Sequence, residues 1–150
     1  MIRMDQVSMQ YSTGVDALCD VSIRIEKGEF VFVVGKSGSG KSTFIKLLLK
    51  ELNPSEGRIF VAGRQVTNLS RKQVSLYRRQ IGVVFQDFRL LKNKTVYENI
   101  EFAQQIIGMN KREIARNVAI MLEMVGLKGK ENAYPGELSG GEQQRVAIAR

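Results

Sequence analysis

A glycine-rich octapeptide has the residue types and spacing of a phosphate-binding loop. Residues 35–42 read GKSGSGKS, after an apolar run at 30–34 and before a helix-like stretch at 43–51. Successive backbone N–H groups of such a turn, continued by a helix N-terminus, form a concave site for a polyphosphate. We expect Lys41 to reach the β- and γ-phosphates and the Ser42 hydroxyl to coordinate Mg²⁺. Kinases, GTPases and motor ATPases all use this loop, so it predicts the ligand and not the reaction.

A second motif narrows the class of reaction. Residues 138–145 read LSGGEQQR, which resembles the signature of ATP-binding-cassette (ABC) ATPases, and the whole chain is similar to that family in matching order. Gln86 matches the family's Q-loop glutamine, and Tyr11 stands where the family stacks an aromatic ring on adenine. Residues 86–91 and 95–99 most resemble the cell-division members of the family. ATPases for lipoprotein export and amino-acid import share much of this stretch.

The resemblance implies a fold, a mechanism and a set of site residues. The implied fold is α/β: a P-loop NTPase core with an antiparallel β subdomain and a helical subdomain. Two cassettes stack head to tail as a homodimer, so that ATP on the phosphate loop of one is covered by the signature of the other. Gln86 is expected to act in catalysis, and Ser42 and Gln86 to coordinate Mg²⁺. The expected ATP-binding residues are Tyr11, Gly35, Lys36, Ser37, Gly38, Ser39, Gly40, Lys41, Ser42, Thr43, Ser139, Gly140 and Gly141.

Some of these residues also have a purely structural interpretation. The tyrosine at position 11 is near a strand end, where tyrosines commonly pack, and Gln86 could be a surface glutamine at the end of a strand. The signature is predicted to open a helix, whose exposed N–H groups and positive dipole end favour a γ-phosphate. Glu142 falls in that first turn, and we interpret it as an ordinary favourable charge and not as a catalytic acid.

The resemblance also indicates which motifs the chain does not contain. In the family, an apolar strand ending in Asp-Glu (Walker B) and then a switch histidine follow the signature helix, whereas this chain ends at Arg150 and has no histidine. We therefore expect a partial ABC nucleotide-binding domain, truncated before Walker B. It should bind ATP weakly and not hydrolyse it, because the glutamate that orients water would lie beyond Arg150. The Walker B strand would lie beside residues 30–34, which its absence should leave exposed.

Composition limits the location of the protein. With 150 residues, 43% of them hydrophobic, the chain is long enough for one compact domain. Its mean hydropathy is −0.15, and it has no apolar run near the roughly 20 residues that span a bilayer. The N-terminus lacks the apolar segment of a signal peptide. Cys19 is the only cysteine, which excludes an internal disulfide. We expect a cytoplasmic protein, peripheral at the inner face of the cell membrane.

The net charge of +8 is concentrated in one part of the chain. Between residues 64 and 94 there are eight Lys and Arg residues and a single acid, Asp87. Such a segment could bind nucleic acid, contact anionic lipid or a membrane partner, or form a solvated face. The aromatic and glycine patterns of an RNA-binding sheet are missing, so nucleic acid is disfavoured. Contact with the membrane surface and an integral membrane partner is favoured.

Hydrophobic periodicity predicts the secondary structure. Alternation with a period of two indicates antiparallel strands at 2–9 and 18–25, and uninterrupted apolar runs indicate buried strands at 30–34 and 81–85. Helices are expected at 43–51, 71–79, 96–105, 110–125 and after 139, and a hairpin at 58–66. Pro54 and Gly57 should end the first helix. Residues 1–86 should form the nucleotide-holding α/β part, and residues 87–150 the helical subdomain.

Three functions remain open from the sequence. The first is an ATPase subunit that couples ATP-driven dimerisation to a membrane partner in cell division. The second is the ATPase subunit of a lipoprotein or solute transporter. The third, from another class, is a non-catalytic regulatory module in which nucleotide only organises contacts. The identity of the membrane partner would separate the first two, and the presence of a catalytic glutamate would exclude the third.

Overall fold

The computed structural model describes all 150 residues, which form two compact units. The first is Met1–Ile81 and the second is Gly82–Arg150, and each has its own apolar core. The division follows Ile81, five residues before the boundary expected from the sequence. None of the helices combines the length and apolarity that crossing a bilayer requires.

Unit Met1–Ile81 contains a four-stranded antiparallel sheet. In chain order its strands are β1 (Ile2–Gln10), β2 (Asp16–Ile25), β3 (Glu56–Val61) and β4 (Arg64–Gln65). The sheet order is β2-β1-β3-β4, so the N-terminal strand is central and pairs on both edges. Irregular register near the middle of β1 accompanies a positive φ of 48° at Gln6. The predicted antiparallel strands and hairpin are confirmed.

Two helices complete the core of this unit. Helix α1 (Lys41–Leu48) follows the phosphate loop and buries Phe44 and Leu47, and α2 (Arg71–Arg78) buries Tyr77. These side chains share one cluster with Met4 and other apolar residues of the sheet. Burying a large apolar side chain contributes about 1.5–3 kcal/mol. The apolar face of the sheet therefore fixes where α1, and with it the phosphate loop, begins.

Unit Gly82–Arg150 is helical. It contains α3 (Val96–Ile106), α4 (Lys111–Met124), a 3₁₀ turn (Pro135–Glu137) and α5 (Gly140–Ala149). One side of α4 is apolar and is buried against α3 and α5, so it packs in the core of this unit. The cluster includes Val96, Ile100, Ile114, Val118, Leu122 and Val146. The buried Asn99 accepts from the Leu91 N–H at 2.8 Å and donates to the Leu91 carbonyl at 3.1 Å, which fixes the loop before α3.

The strands predicted at 30–34 and 81–85 do not form, and those two predictions are wrong for this structure. Neither segment pairs with another strand. Phe30, Phe32 and Val34 are 84%, 77% and 85% exposed, and the two phenylalanine rings contact each other edge to face at 4.9 Å. An extended segment becomes a strand only when neighbouring backbones satisfy its N–H and C=O groups, and no segment lies alongside. Apolar composition alone therefore did not determine this structure.

The exposed segment at 30–34 is expected to cause self-association. Exposed, unpaired apolar backbone is a template for pairing with another chain. Replacing Phe30 and Phe32 by Ser should lower the weight-average mass measured by sedimentation velocity at high concentration, together with the fluorescence of a hydrophobic dye. Val15 is also exposed (59%) but lies outside the segment, so Val15→Ser should change neither. Equal association of both variants would show that another surface is responsible.

Candidate functional site

Helix α1 has an N-terminus that no side chain caps. Its N-cap is Gly40, which has no side chain to accept from the first-turn N–H groups, and that turn contains no acid. By contrast, Thr95, Asn110 and Ser139 each accept from the backbone N–H three residues later at the starts of α3, α4 and α5. The N–H groups and positive dipole end of α1 are therefore available to an anion.

The ammonium of Lys41 lies against the phosphate loop. Its Nζ donates to the Gly35 carbonyl at 2.8 Å, to the Lys36 carbonyl at 2.7 Å and to Ser39 Oγ at 3.4 Å. Ser42, the predicted Mg²⁺ ligand, is exposed in the first turn of α1. The structure therefore brings together the positive charge, the loop and the open helix end, as the spacing predicted for residues 35–42. Their binding roles stay predictions.

Gly40 is required for a reason that the motif alone does not reveal. Its φ is 86°, and a Cβ at this position would lie 2.3 Å from the Ala17 carbonyl oxygen and 2.9 Å from Leu18 Cδ2, both on β2. Gly38, in the same loop, has φ 79° and nothing within 4 Å of such an atom. The loop therefore needs left-handed backbone at both positions, but close approach only at Gly40.

Tyr11 and Thr43 form a pair that the sequence does not reveal. Thr43 is buried, and its Oγ1 shares a hydrogen bond of 2.9 Å with the Tyr11 hydroxyl. The Tyr11 ring is half-buried against the core cluster. Packing and stacking on adenine are compatible, because the hydroxyl is held while part of the ring stays exposed. The side chain of Thr43 is thus committed to Tyr11, which leaves its backbone N–H as its possible phosphate contact.

The C-terminal end of α1 is fastened by α2. The Tyr77 hydroxyl donates to the Leu48 carbonyl, and Arg78 donates from Nε to the Leu49 carbonyl at 2.9 Å and from Nη2 to the Lys50 carbonyl at 3.0 Å. Cationic donors at a helix C-terminus satisfy free carbonyls and stabilise the dipole. The sequence placed Arg78 in a basic segment facing the membrane, whereas the structure gives its guanidinium an internal role.

In the second unit, Gln86 is exposed at a turn. The turn is closed by the Phe88 N–H, which donates to the Phe85 carbonyl at 3.0 Å. The guanidinium of Arg89 lies 3.9 Å from the centre of the Phe85 ring. Gln86 therefore presents its amide to solvent from a defined backbone position, as a residue that contacts a ligand would.

The signature opens α5 as predicted, with Ser139 at the N-cap. Its hydroxyl donates to Glu142 Oε2 at 2.7 Å and accepts from the Glu142 N–H at 3.3 Å, and its own N–H donates to Oε2 at 2.8 Å. These bonds, first from the Ser139 hydroxyl and then from its N–H, hold the pKa of the Glu142 carboxyl below its usual range. The stabilisation is therefore present at neutral pH and is lost as the pH falls through that lowered pKa. These bonds agree with the interpretation of Glu142 as a structural charge.

Gly140 and Gly141 are not required by the packing of the chain itself. A Cβ would meet nothing within 4 Å at Gly140, and only the flexible end of Arg145 at 3.7 Å at Gly141. Both residues are exposed and neither has a positive φ. Alanine would favour the helix over glycine by about 1 kcal/mol in a helix interior. Because the fold does not require these two glycines, their bare backbone is available for close contact with a ligand or partner outside the chain.

A groove of about 640 Å³ lies in the same unit, between the segment after Gln86 and the loop before α5. Its lining includes Asp87, Arg89, Leu90, Lys92 and Tyr134. Its two sides, residues 87–92 and 134–143, lie more than 40 positions apart in the chain, so the sequence does not reveal that they meet. Arg89 pairs with Asp87, which leaves Lys92 as the cation that can attract an acidic, partly apolar segment.

The uncapped start of α1 beside the Lys41 ammonium, together with the exposed glycines at the start of α5, agrees with the resemblance to ATP-binding cassettes. Residues 18–150 match the protein-family model described as ABC transporter, and the chain belongs to that family. The predicted family and fold class are therefore confirmed.

Curated relatives point to a particular branch of the family. The chain is 51% identical over its whole length to the cell division ATP-binding protein FtsE of Streptococcus pneumoniae and spans 65% of that protein. It is 45% identical to FtsE of Escherichia coli, again over its whole length and 68% of the relative. It is 44% identical to the methionine import ATP-binding protein MetN of Geobacillus kaustophilus, of which it spans 45%. The chain thus spans about two thirds of the FtsE length.

Solved structures agree with this assignment. The ATP-binding cassette MJ0796, in a dimeric post-hydrolysis state bound to ADP and Pi, matches with a TM-score of 0.90 and 35% identity, over 99% of this chain and 68% of that one. The protein cbiO1 of Clostridium perfringens, described as part of the ABC transporter complex cbiONQ, matches with a TM-score of 0.88 and 31% identity, over 99% of this chain and 59% of that one.

Proposed function

We propose that the chain is the nucleotide-binding part of an ATPase subunit in an FtsE–FtsX-like complex, which couples ATP-driven dimerisation to a membrane partner in cell division. The observation that carries the proposal is the uncapped N-terminus of α1, with the Lys41 ammonium held at the adjoining loop. The identities with FtsE of two organisms support the branch.

Different residues contact the different parts of ATP. The N–H groups of Gly38 and of residues 40–43, together with the Lys41 ammonium, neutralise the phosphates, and Tyr11 offers part of its ring to adenine. The Ser39 N–H donates instead to the Lys36 carbonyl at 3.2 Å. The exposed hydroxyl of Ser42 and the exposed amide of Gln86 are hard oxygen ligands of the kind that Mg²⁺ accepts. When bound, Mg²⁺ would neutralise charge on the phosphates. Gln86 orients the attacking water through its side-chain oxygen.

The signature acts on the nucleotide of a second copy. Gly140 and Gly141 present N–H groups at the positive end of α5, and the bare glycine backbone permits close approach of a γ-phosphate. Ser139, whose N–H and hydroxyl bond to Glu142 in this structure, would have to release Glu142 to contact that phosphate. The internal packing of the chain leaves these glycines unexplained, which supports a ligand in trans. The dimeric state of the neighbouring cassette MJ0796 supports the same arrangement.

Gly141→Ala tests this role, because the fold accommodates the methyl group. We expect an unchanged or slightly raised melting temperature and an unchanged affinity of the variant's own loop for ATP. ATP-dependent dimer formation and phosphate release should fall by about tenfold, since a methyl group displaces the γ-phosphate from the helix end. Sedimentation with ATP and Mg²⁺ and a phosphate-release assay, both on the whole protein, measure these effects.

Gly136→Ala is the matched control. Gly136 is exposed just before the signature, and a Cβ there would also meet nothing within 4 Å. The Gly136→Ala variant should hydrolyse ATP at the wild-type rate. Normal hydrolysis and dimer formation by Gly141→Ala would refute the proposed role of the signature.

We further propose that the membrane partner docks in the groove near Lys92, while basic residues outside it contact anionic lipid at the inner face of the membrane. The unpaired Lys92 cation favours an acidic helical segment, and Leu90 and Tyr134 offer it an apolar contact. Arg79, next to the internally bonded Arg78, is exposed and forms no ion pair. Arg79 is therefore the better candidate for lipid contact.

Charge reversal separates the two surfaces. Arg79→Glu should weaken binding to vesicles containing anionic lipid in a salt-sensitive way, since each charge near the surface contributes about 1 kcal/mol. Lys92→Glu should weaken co-purification with the membrane partner more than it weakens vesicle binding. Arg78→Glu should instead lower the thermal stability, because it removes the donors to the C-terminal carbonyls of α1.

Lys128→Glu serves as the control, because Lys128 is exposed and lies outside both surfaces. If Arg79→Glu and Lys128→Glu bind vesicles equally, the basic segment is only a solvated face.

The ATPase of a solute transporter is the second candidate, favoured by the 44% identity with MetN. The membrane protein that co-purifies with the whole protein distinguishes the two candidates. A permease would indicate a solute transporter, and an FtsX-like protein would indicate the cell-division complex. A third candidate, the non-catalytic nucleotide-dependent regulatory module, predicts ATP binding and dimerisation without phosphate release by the whole protein.

A further inference from the structure

The turn at residues 85–89, here the Gln86 turn, contains unfavourable backbone. Phe88 and Arg89 have φ of 56° and 49°, and two consecutive left-handed residues other than glycine are rare because the side chain crowds the carbonyl group. The local contacts are hydrogen bonds from the Phe88 N–H to the Phe85 carbonyl at 3.0 Å and from the Arg89 N–H to the Asp87 carbonyl at 2.6 Å, the Arg89 guanidinium 3.9 Å from the centre of the Phe85 ring, and an exposed Arg89–Asp87 ion pair at 3.5 Å. An exposed ion pair contributes little, and two left-handed residues cost about 1–2 kcal/mol each, so a restraint from outside the turn adds to these local contacts.

A distant arginine holds the two left-handed residues from outside. At the end of α5, Arg150 donates from Nη1 to the Arg89 carbonyl at 2.7 Å and from Nη2 to the Phe88 carbonyl at 3.4 Å. The planar fork of a guanidinium suits two adjacent acceptors, because it presents its N–H donors in a fixed geometry. Arg150 is half-buried, and this burial lowers the pKa of its guanidinium.

The same helix carries the signature at its other end. Helix α5 runs from Gly140 to Ala149 with Ser139 as N-cap, and its Val146 is fully buried in the core. Because this helix is short and packed in the core, a shift at one of its ends also moves the other end. The backbone that presents Gln86 and the helix start that presents the signature are therefore joined by the Arg150 bonds within one unit.

We infer that Arg150 is a positioning residue, which locks the Gln86 turn in its left-handed conformation and couples the orientation of Gln86 to that of the signature helix. The inference rests on the proposed role of Gln86 in ATP hydrolysis. Arg150 touches neither nucleotide nor water itself. It acts through the Phe88 and Arg89 carbonyls.

The first test measures the conformation directly on the 150-residue chain. Backbone chemical shifts of Phe88 and Arg89 should indicate left-handed residues in the wild type and should move toward averaged values in Arg150→Gln, while shifts in α3 and α4 stay the same. Arg150→Lys, which keeps the charge, should lie between the two and serves if Arg150→Gln does not fold. Unchanged shifts at Phe88 and Arg89 would overturn the inference.

The second test separates positioning from general stability. In the whole protein, Arg150→Gln should lower kcat for ATP hydrolysis by about tenfold with little change in KM, since a displaced catalytic group costs rate rather than binding. Glycine adopts left-handed φ without strain, so adding Arg89→Gly should restore most of kcat. If Arg89→Gly does not restore kcat, or if KM rises by the same factor by which kcat falls, Arg150 stabilises the structure but does not position Gln86.

The Gln86→Ala variant distinguishes a failure of the role proposed for Gln86 from a failure of the positioning role inferred for Arg150. If it hydrolyses ATP normally, the role proposed for Gln86 is wrong, whatever the shifts of Phe88 and Arg89 show. If Gln86→Ala is inactive while Arg150→Gln is fully active, the proposed function stands and the positioning role of Arg150 is refuted.

Discussion

Lys41→Ala should weaken ATP binding by about ten- to a hundredfold, because hydrogen bonds from a charged donor typically contribute about 1.5–3 kcal/mol. The ammonium already lies at the loop, bonded to the Gly35 and Lys36 carbonyls, so little side-chain entropy is lost when it turns to a phosphate. Its removal also leaves the positive end of α1 as the main attraction for the phosphates. Titration with a fluorescent ATP analogue in the presence of Mg²⁺ measures the change.

Lys46→Ala is the matched control for this prediction. Lys46 has the same charge, is exposed in the last turn of α1, and its side chain makes no hydrogen bond. Its removal should change the dissociation constant for the ATP analogue by less than twofold, as expected for an exposed, screened charge at the opposite end of α1 from the loop. If Lys41→Ala and Lys46→Ala bind the analogue equally well, Lys41 does not contact the phosphates.

Gly40→Ala should destabilise Met1–Ile81 by about 2–5 kcal/mol, the sum of left-handed strain and overpacking. The strain arises because φ is 86°, and the overpacking because the new methyl group would lie 2.3 Å from the Ala17 carbonyl oxygen. Either β2 or the start of α1 must move, so ATP binding should fall as well. Urea unfolding followed by far-UV circular dichroism gives the free energy.

Gly38→Ala separates the two contributions to that cost. Gly38 has a similar φ of 79° but open space around it, so its substitution should cost only the strain, about 1–2 kcal/mol. Equal destabilisation by the two substitutions would show that close approach of β2 to the loop is unimportant. A smaller effect at Gly40 than at Gly38 would contradict the geometry described above.

The predictions that succeeded depend on local rules. The helical period of the apolar side chains predicted α3 and α4, and the capping residues that begin at Asn110 predicted the start of α4, because helix hydrogen bonds and caps connect residues that are neighbours in the chain. The strands at 30–34 and 81–85 were predicted from apolar composition and failed, since a strand depends on a partner that composition does not supply. Gly57, expected to end α1, instead lies in β3 with φ 84°, where a Cβ would meet the Gln6 carbonyl oxygen at 2.3 Å.

By itself, the sequence determined the ligand chemistry of the candidate site: the spacing of residues 35–42 and 138–145 fixes which N–H groups, hydroxyls and ammonium are offered at two helix starts. Only the tertiary structure decided what holds those groups in place. The Tyr11–Thr43 bond, the Arg78 donors at the end of α1, and the Arg150 bonds to Phe88 and Arg89 join residues 29 to 62 positions apart. No local pattern predicts such pairs, because their geometry exists only after the sheet and the helices have packed.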